Sequence, residues 1–112
     1  MTTNRLIDVQ ACGQSIWMDY IKRSLIESGK LKQLVQDGIV GMTSNPTIFD
    51  HAISSSADYD GDISQGASRT KSPEDLFLDL ALADLTRAAD LFQPIFERTD
   101  GIDGWVSLEL SP

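Results

Sequence analysis

At 112 residues, 41% hydrophobic and 23% charged, the chain has the length and balance of one soluble globular domain. Its formal net charge of −8 disfavours nucleic acid and anionic membranes, which need clustered Lys and Arg on the protein side. Cys12 is the single cysteine, so no intrachain disulfide forms and no oxidising compartment is required. It is expected to be a small buried or half-buried thiol.

The opening segment, Met1 to Asp8, lacks the apolar run of a secretory signal and reads as a short polar lead. No stretch approaches the ~20 apolar residues of a membrane span, so a cytoplasmic protein is expected. Gln14 to Asp19 reads as a strand, with Ser15 and Trp17 alternating with Ile16 and Met18. Tyr20 to Ser28 follows as a helix with Ile21, Leu25 and Ile26 on one face. Lys30 to Asp37 forms a second helix around Leu31, Leu34 and Val35. Gly29 and Gly38 end the two, because glycine accepts the left-handed conformation at low cost.

Ile39 to Thr43 reads as the second strand. Asn45-Pro46 then opens a helix, Asn as cap and Pro at the first helical position, burying Ile48, Phe49, Ala52 and Ile53. The Ser-, Gly- and Asp-rich stretch from Ser54 to Ser72 is expected to be mainly loop, with room for one helical turn. Ser72-Pro73-Glu74-Asp75 is a strong helix opening, with acids at the positive helix end. Leu76, Phe77, Leu80, Ala81, Leu85, Ala88 and Phe92 recur at helical spacing, so the helix should reach about Phe92 before Pro94 kinks or ends it. The third strand runs from Trp105 to Leu110. Helical crossovers between strands imply a parallel sheet and an α/β class.

Each strand places aliphatic residues on one face and polar groups on the other: Ile16 and Met18 against Ser15 and Asp19, Val40 and Met42 against Thr43 and Asn45, Val106 and Leu108 against Ser107 and Glu109. A parallel sheet covered on both faces would read as continuous apolar runs. In a (β/α)8 barrel the aliphatic face meets the helices, and polar groups at the strands' carboxyl ends build the active site. Asp19, Thr43, Asn45 and Glu109 would then share one pocket. Other roles fit the same residues. Asp19 also suits a cap for the next helix, Asn45 suits a cap and a site at once, and Thr43 suits a plain β-branched strand position. Glu109 also suits a solvated loop end, although a carboxylate flanked by Leu108 and Leu110 is costly to bury unpaired. His51, Trp17, Trp105, Phe77, Phe92 and Phe96 read as helix or packing residues. The chain contains no GxGxxG or P-loop pattern, and no metal is expected.

Gly41-Met42-Thr43-Ser44-Asn45-Pro46-Thr47-Ile48-Phe49 resembles the transaldolase motif around the second strand. Gln14 to Ile21, Ala89 to Pro94, Glu97 to Gly101 and Val106 to Pro112 extend the likeness to the N-terminal portion of the longer bacterial transaldolases. The resemblance implies three strands, about 15–19, 39–43 and 105–110, of an incomplete (β/α)8 (TIM) barrel, with residues 1–112 as one partial barrel domain. It implies a transferase of the pentose phosphate pathway that moves a dihydroxyacetone unit between sugar phosphates through a lysine Schiff base, without cofactor. By motif position Asp19 would be the acid/base of carbon–carbon cleavage and Glu109 would handle protons through a bound water. Asn45 would hydrogen-bond the dihydroxyacetone hydroxyls, with Thr43 lining the pocket.

In the family the Schiff-base lysine lies on the fourth strand. Here Lys22, Lys30 and Lys32 are expected in amphipathic helices and Lys71 in a loop. The phosphate-binding arginines of the family also come later, and Arg69 and Lys71 are poor substitutes. The 112 residues alone are therefore expected to be inert. Rival expectations are a related class I aldolase, a non-catalytic module that pairs with a remaining barrel segment, and a self-contained three-layer α/β domain.

Overall fold

The computed structural model describes residues 4–69 and 72–109. In chain order the elements are α1 (Arg5–Ala11), β1 (Trp17–Asp19), α2 (Arg23–Glu27), α3 (Lys30–Asp37), β2 (Gly41–Ser44), α4 (Pro46–Ser54), α5 (Asp60–Ser68), α6 (Pro73–Arg98) and β3 (Trp105–Leu108). The strands form a parallel sheet in the order β1-β2-β3. Helices occupy each crossover, as parallel pairing requires. Pairing runs slightly beyond the strand bounds: the Val40 amide donates to the Ile16 carbonyl at 3.0 Å. Leu110, expected at the end of the third strand, lies outside the described residues.

The alternation read from the sequence sets the core. Met18, Met42, Val106 and Leu108 face the helices and pack with Ile21, Leu31, Val40, Phe49, Leu85, Phe92 and Ile95. Burying a side chain of that size stabilises by about 1.5–3 kcal/mol relative to leaving it exposed. The stripe on α6 meets this core through Ala81, Leu85, Ala88 and Phe92, while Leu80 joins Ala52 and Tyr59 in a smaller neighbouring cluster.

The caps follow their chemistry. Asn45 holds an extended backbone and its Oδ1 accepts from the Ile48 amide at 2.9 Å, with Pro46 opening α4. Ser72 Oγ accepts from the Asp75 amide at 3.1 Å at the start of α6. Gly29 and Gly38 both have positive φ, at 83° and 124°.

Four segments differ from the sequence expectation, and Cys12 differs with the first of them. The polar lead is helical as α1, capped by Asn4, whose Nδ2 also donates to the Asp37 carbonyl at 2.7 Å. No residue of α1 is fully buried; Leu6 packs against the edge of the core and polar bonds from Asn4 and Gln10 tie the helix to the end of α3, while Cys12 at its end is exposed. Second, α2 begins at Arg23, because Lys22 is extended at φ −153° and ψ 141°.

The stretch after Ser54, expected as loop, contains α5. Its Gly66 is not a chain breaker: a Cβ there would stand 2.3 Å from Leu76 Cδ1, so glycine permits close packing on α6. Lastly, α6 continues through Pro94 to Arg98. Proline in a helix interior removes a hydrogen bond and costs about 3 kcal/mol. Burial of Phe92 and Ile95, on either side of it, offsets that loss.

Candidate functional site

The face of the sheet turned away from the helices carries residues in rows set by the register. Trp17, Gly41 and Trp105 form one row, and Asp19, Thr43 and Ser107 form the next toward the carboxyl ends. Strand alternation puts Asn45 and Glu109 one step further along. A Cβ at Gly41 would stand 2.3 Å from the Trp17 ring, so the missing side chain is what lets the indole lie across β2. Trp105 packs edge-on against Phe96 at 5.3 Å between centroids and donates its indole N–H to the Gly101 carbonyl at 3.0 Å. Both tryptophans retain exposed area, 38% for Trp17 and 51% for Trp105.

The Thr43 hydroxyl donates to Asp19 Oδ1 at 2.6 Å across β1 and β2. That length is within the range of a direct O–H···O hydrogen bond. Asp19 is exposed at the end of its strand and does not cap α2, whose cap position is Lys22 with no side-chain bond. Asn45 spends its Oδ1 on the α4 cap, and its Nδ2 donates to no described residue. The Glu109 amide donates to the Ser44 carbonyl at 2.9 Å, which extends the β2–β3 ladder to the end of β3, and its side chain is exposed. The structure therefore joins Asp19 and Thr43 directly. It sets Asn45 and Glu109 at the same end of the sheet without a side-chain bond to either.

Lys30 and Lys32 sit exposed on α3, as expected. Lys22 does not lie in a helix: it is half-buried just before α2, three residues after Asp19. Lys71 lies outside the described residues. Among the described residues no group of three or more His, Cys, Asp or Glu is arranged to hold a metal. No described helix is long and apolar enough to cross a membrane.

One polar cluster has no counterpart in the sequence reading. Arg23 is 6% exposed, and Asp84 and Tyr59 are 0% exposed. Arg23 Nε donates to Asp84 Oδ1 at 2.8 Å and its NH1 donates to Asp62 Oδ2 at 2.7 Å. The Tyr59 hydroxyl donates to Asp84 Oδ2 at 2.5 Å and accepts the Arg23 amide at 3.0 Å. The guanidinium also lies 4.3 Å from the Tyr59 ring centroid. Burial works against the Arg23 charge, but bonds to Asp84 and Asp62 outweigh it and hold the guanidinium above its usual range. Burial, then the bond to Asp84, pushes the Tyr59 phenol well above its usual range, against the opposing effect of Arg23. The one signal in the sequence was Asp84, an acid placed on the apolar stripe of α6.

Residues 16–112 match the family described as Transaldolase/Fructose-6-phosphate aldolase. The whole chain is 45% identical to a transaldolase of Trichodesmium erythraeum and covers 30% of that protein. It is 45% identical to a transaldolase of Saccharopolyspora erythraea, over 31% of its length, and 42% identical to "Transaldolase 2" of Nostoc punctiforme, over 30%. The chain thus spans about 30% of the length of the curated relatives it matches. With a mixed α/β fold around a parallel sheet and a family match over nearly all its residues, the chain belongs to the transaldolase/fructose-6-phosphate aldolase family.

Proposed function

We propose that residues 1–112 are one partial domain supplying three strands of a (β/α)8 barrel, in a cytoplasmic transaldolase that moves a dihydroxyacetone unit between sugar phosphates. The observation that carries this reading is the Thr43–Asp19 hydrogen bond at the carboxyl ends of adjacent parallel strands. That is the end at which barrel enzymes place their chemistry.

In this mechanism a lysine amine adds to the ketose carbonyl and water leaves, giving a Schiff base. Asp19 then takes the proton of the donor's C4 hydroxyl as the C3–C4 bond breaks, and the bonding electrons flow into the iminium. The shortened aldose leaves, and the resulting enamine attacks the acceptor aldehyde as Asp19 returns the proton to the new hydroxyl. Water then hydrolyses the Schiff base to release the product and the amine. Thr43 donates to one oxygen of the carboxylate and holds its orientation, leaving the other for the substrate hydroxyl. Asn45 offers its amide N–H groups to the dihydroxyacetone hydroxyls, and Glu109 relays protons through water during Schiff-base formation. The amine is none of Lys22, Lys30, Lys32 and Lys71, and it and the phosphate-binding cations are supplied by the part of the barrel that this chain does not span.

Two experiments test the proposal. Borohydride reduction of the 112-residue chain with fructose 6-phosphate should trap no adduct. A reduced adduct on Lys22, Lys30, Lys32 or Lys71 would refute the external amine. Co-expression with the part of the Trichodesmium erythraeum relative that this chain does not cover should yield transfer activity. In that assembly Asp19→Asn should lower turnover by about 10²–10⁴-fold. Transfer to an aldose phosphate supports the transaldolase, whereas cleavage without a phosphorylated acceptor supports the related aldolase.

A further inference from the structure

We infer that Arg23 is a positioning residue for Asp19, and that its bonds to Tyr59 and Asp84 hold the carboxyl end of β1 in register with Thr43. The inference rests on the catalytic role proposed for Asp19.

The need for such an anchor follows from the strand. β1 has three residues, and its ladder with β2 ends at Asp19. A ladder of three residues frays at its end unless the chain beyond is fixed. Beyond Asp19, Tyr20 is 37% exposed and gives little hold, Ile21 is fully buried, and Lys22 is extended into Arg23. Four residues of chain reach at most about 14 Å, so fixing Arg23 limits where Asp19 can go.

The clamp fixes both the backbone and the side chain. The Tyr59 hydroxyl accepts the Arg23 amide and donates to Asp84, so the backbone at position 23 is referenced directly to the middle of α6. The guanidinium bonds Asp84 and Asp62 from two of its nitrogens and lies against the Tyr59 ring, which fixes its rotation as well as its depth. Burial of a charged group is a poor source of stability, since an apolar side chain of similar size often does as well. Its advantage here is direction. Arg23 is too buried to meet a substrate, so it acts through Asp19.

Amide hydrogen exchange on the 112-residue chain tests the clamp. Tyr59→Phe keeps the ring under the guanidinium and removes only the hydroxyl. Exchange at residues 17–20 should speed up about tenfold, the scale of one lost hydrogen bond, while residues 42–44 and 106–108 keep their rates. Arg23→Lys, which keeps charge but loses the fork, should give the same local pattern. Unchanged exchange at 17–20 in both variants, or uniform acceleration across all three strands, would overturn the inference.

In the co-expressed assembly, Tyr59→Phe should lower kcat about tenfold with KM little changed, the split expected of a misplaced catalytic group. If β1 loosens but Asp19→Asn leaves turnover intact, the role of Asp19 fails and the clamp stands. If Asp19→Asn abolishes turnover but Tyr59→Phe leaves β1 unaltered, the clamp fails and the role stands.

Discussion

Two polar groupings in this chain follow opposite rules. Arg23, Asp84 and Tyr59 are buried beneath the helices, and the described bonds commit both Asp84 oxygens and the Tyr59 hydroxyl in each direction. Asp19 and Thr43 lie on the open face at the strand ends, joined by one bond, with the second Asp19 oxygen bonded to no described residue. Saturated polar groups in a low-dielectric interior fix geometry, because each lost partner leaves a desolvated charge or dipole. Unsaturated ones at a strand end cost little to disturb and remain able to bond something new. The contrast separates a group that holds the fold from one placed to meet a substrate.

The sharpest way to break that contrast is to remove Asp84. Asp84→Ala strands the buried guanidinium with only the half-exposed Asp62 and leaves the Tyr59 hydroxyl without an acceptor. The expected loss is about 3–5 kcal/mol, measured from urea unfolding midpoints. A loss below about 1 kcal/mol would mean that the cluster relaxes freely into water and fixes nothing.

Tyr59→Phe should cost less, about 1–3 kcal/mol, because the ring packing survives. It also carries a signature in pH. The folded phenol keeps its proton above the ordinary value of 10.0, whereas the unfolded phenol releases it there. Raised binding of a proton in the folded state means stability is intact below that value and is lost as pH climbs beyond it. Thermal melts between about pH 9 and 11.5 should therefore fall more steeply for the natural chain than for Tyr59→Phe. Parallel slopes would place the phenol in a more solvated setting than the one described.

Local chemistry decided how much could be read in advance. The Asn45-Pro46 and Ser72-Pro73 helix openings act within three residues, and both were legible. Strand alternation was legible too, since a period of two assigns faces directly, and it put Asp19 and Thr43 on one face. The unread parts depend on distant partners. α5 looks like loop because Gly66 and the serines are weak helix formers, yet Gly66 is there to admit Leu76. α6 passes through Pro94 because buried neighbours on both sides outweigh one missing hydrogen bond. Arg23 carries no local signal in the sequence, because its partners stand 36, 39 and 61 residues away.

The smallest expected effect is the most discriminating. Thr43→Ala removes the donor to Asp19, and because that carboxylate is exposed, water takes the place of the lost hydroxyl. Stability should change by no more than about 1 kcal/mol, close to the limit of a denaturation measurement. In the co-expressed assembly, turnover should nevertheless fall, since a carboxylate free to rotate spends less time aimed at the donor hydroxyl. A stability loss above about 2 kcal/mol, or turnover that does not move, would make the Thr43–Asp19 bond a structural tie between two strands. The open face would then lose the feature that distinguishes it from the buried cluster.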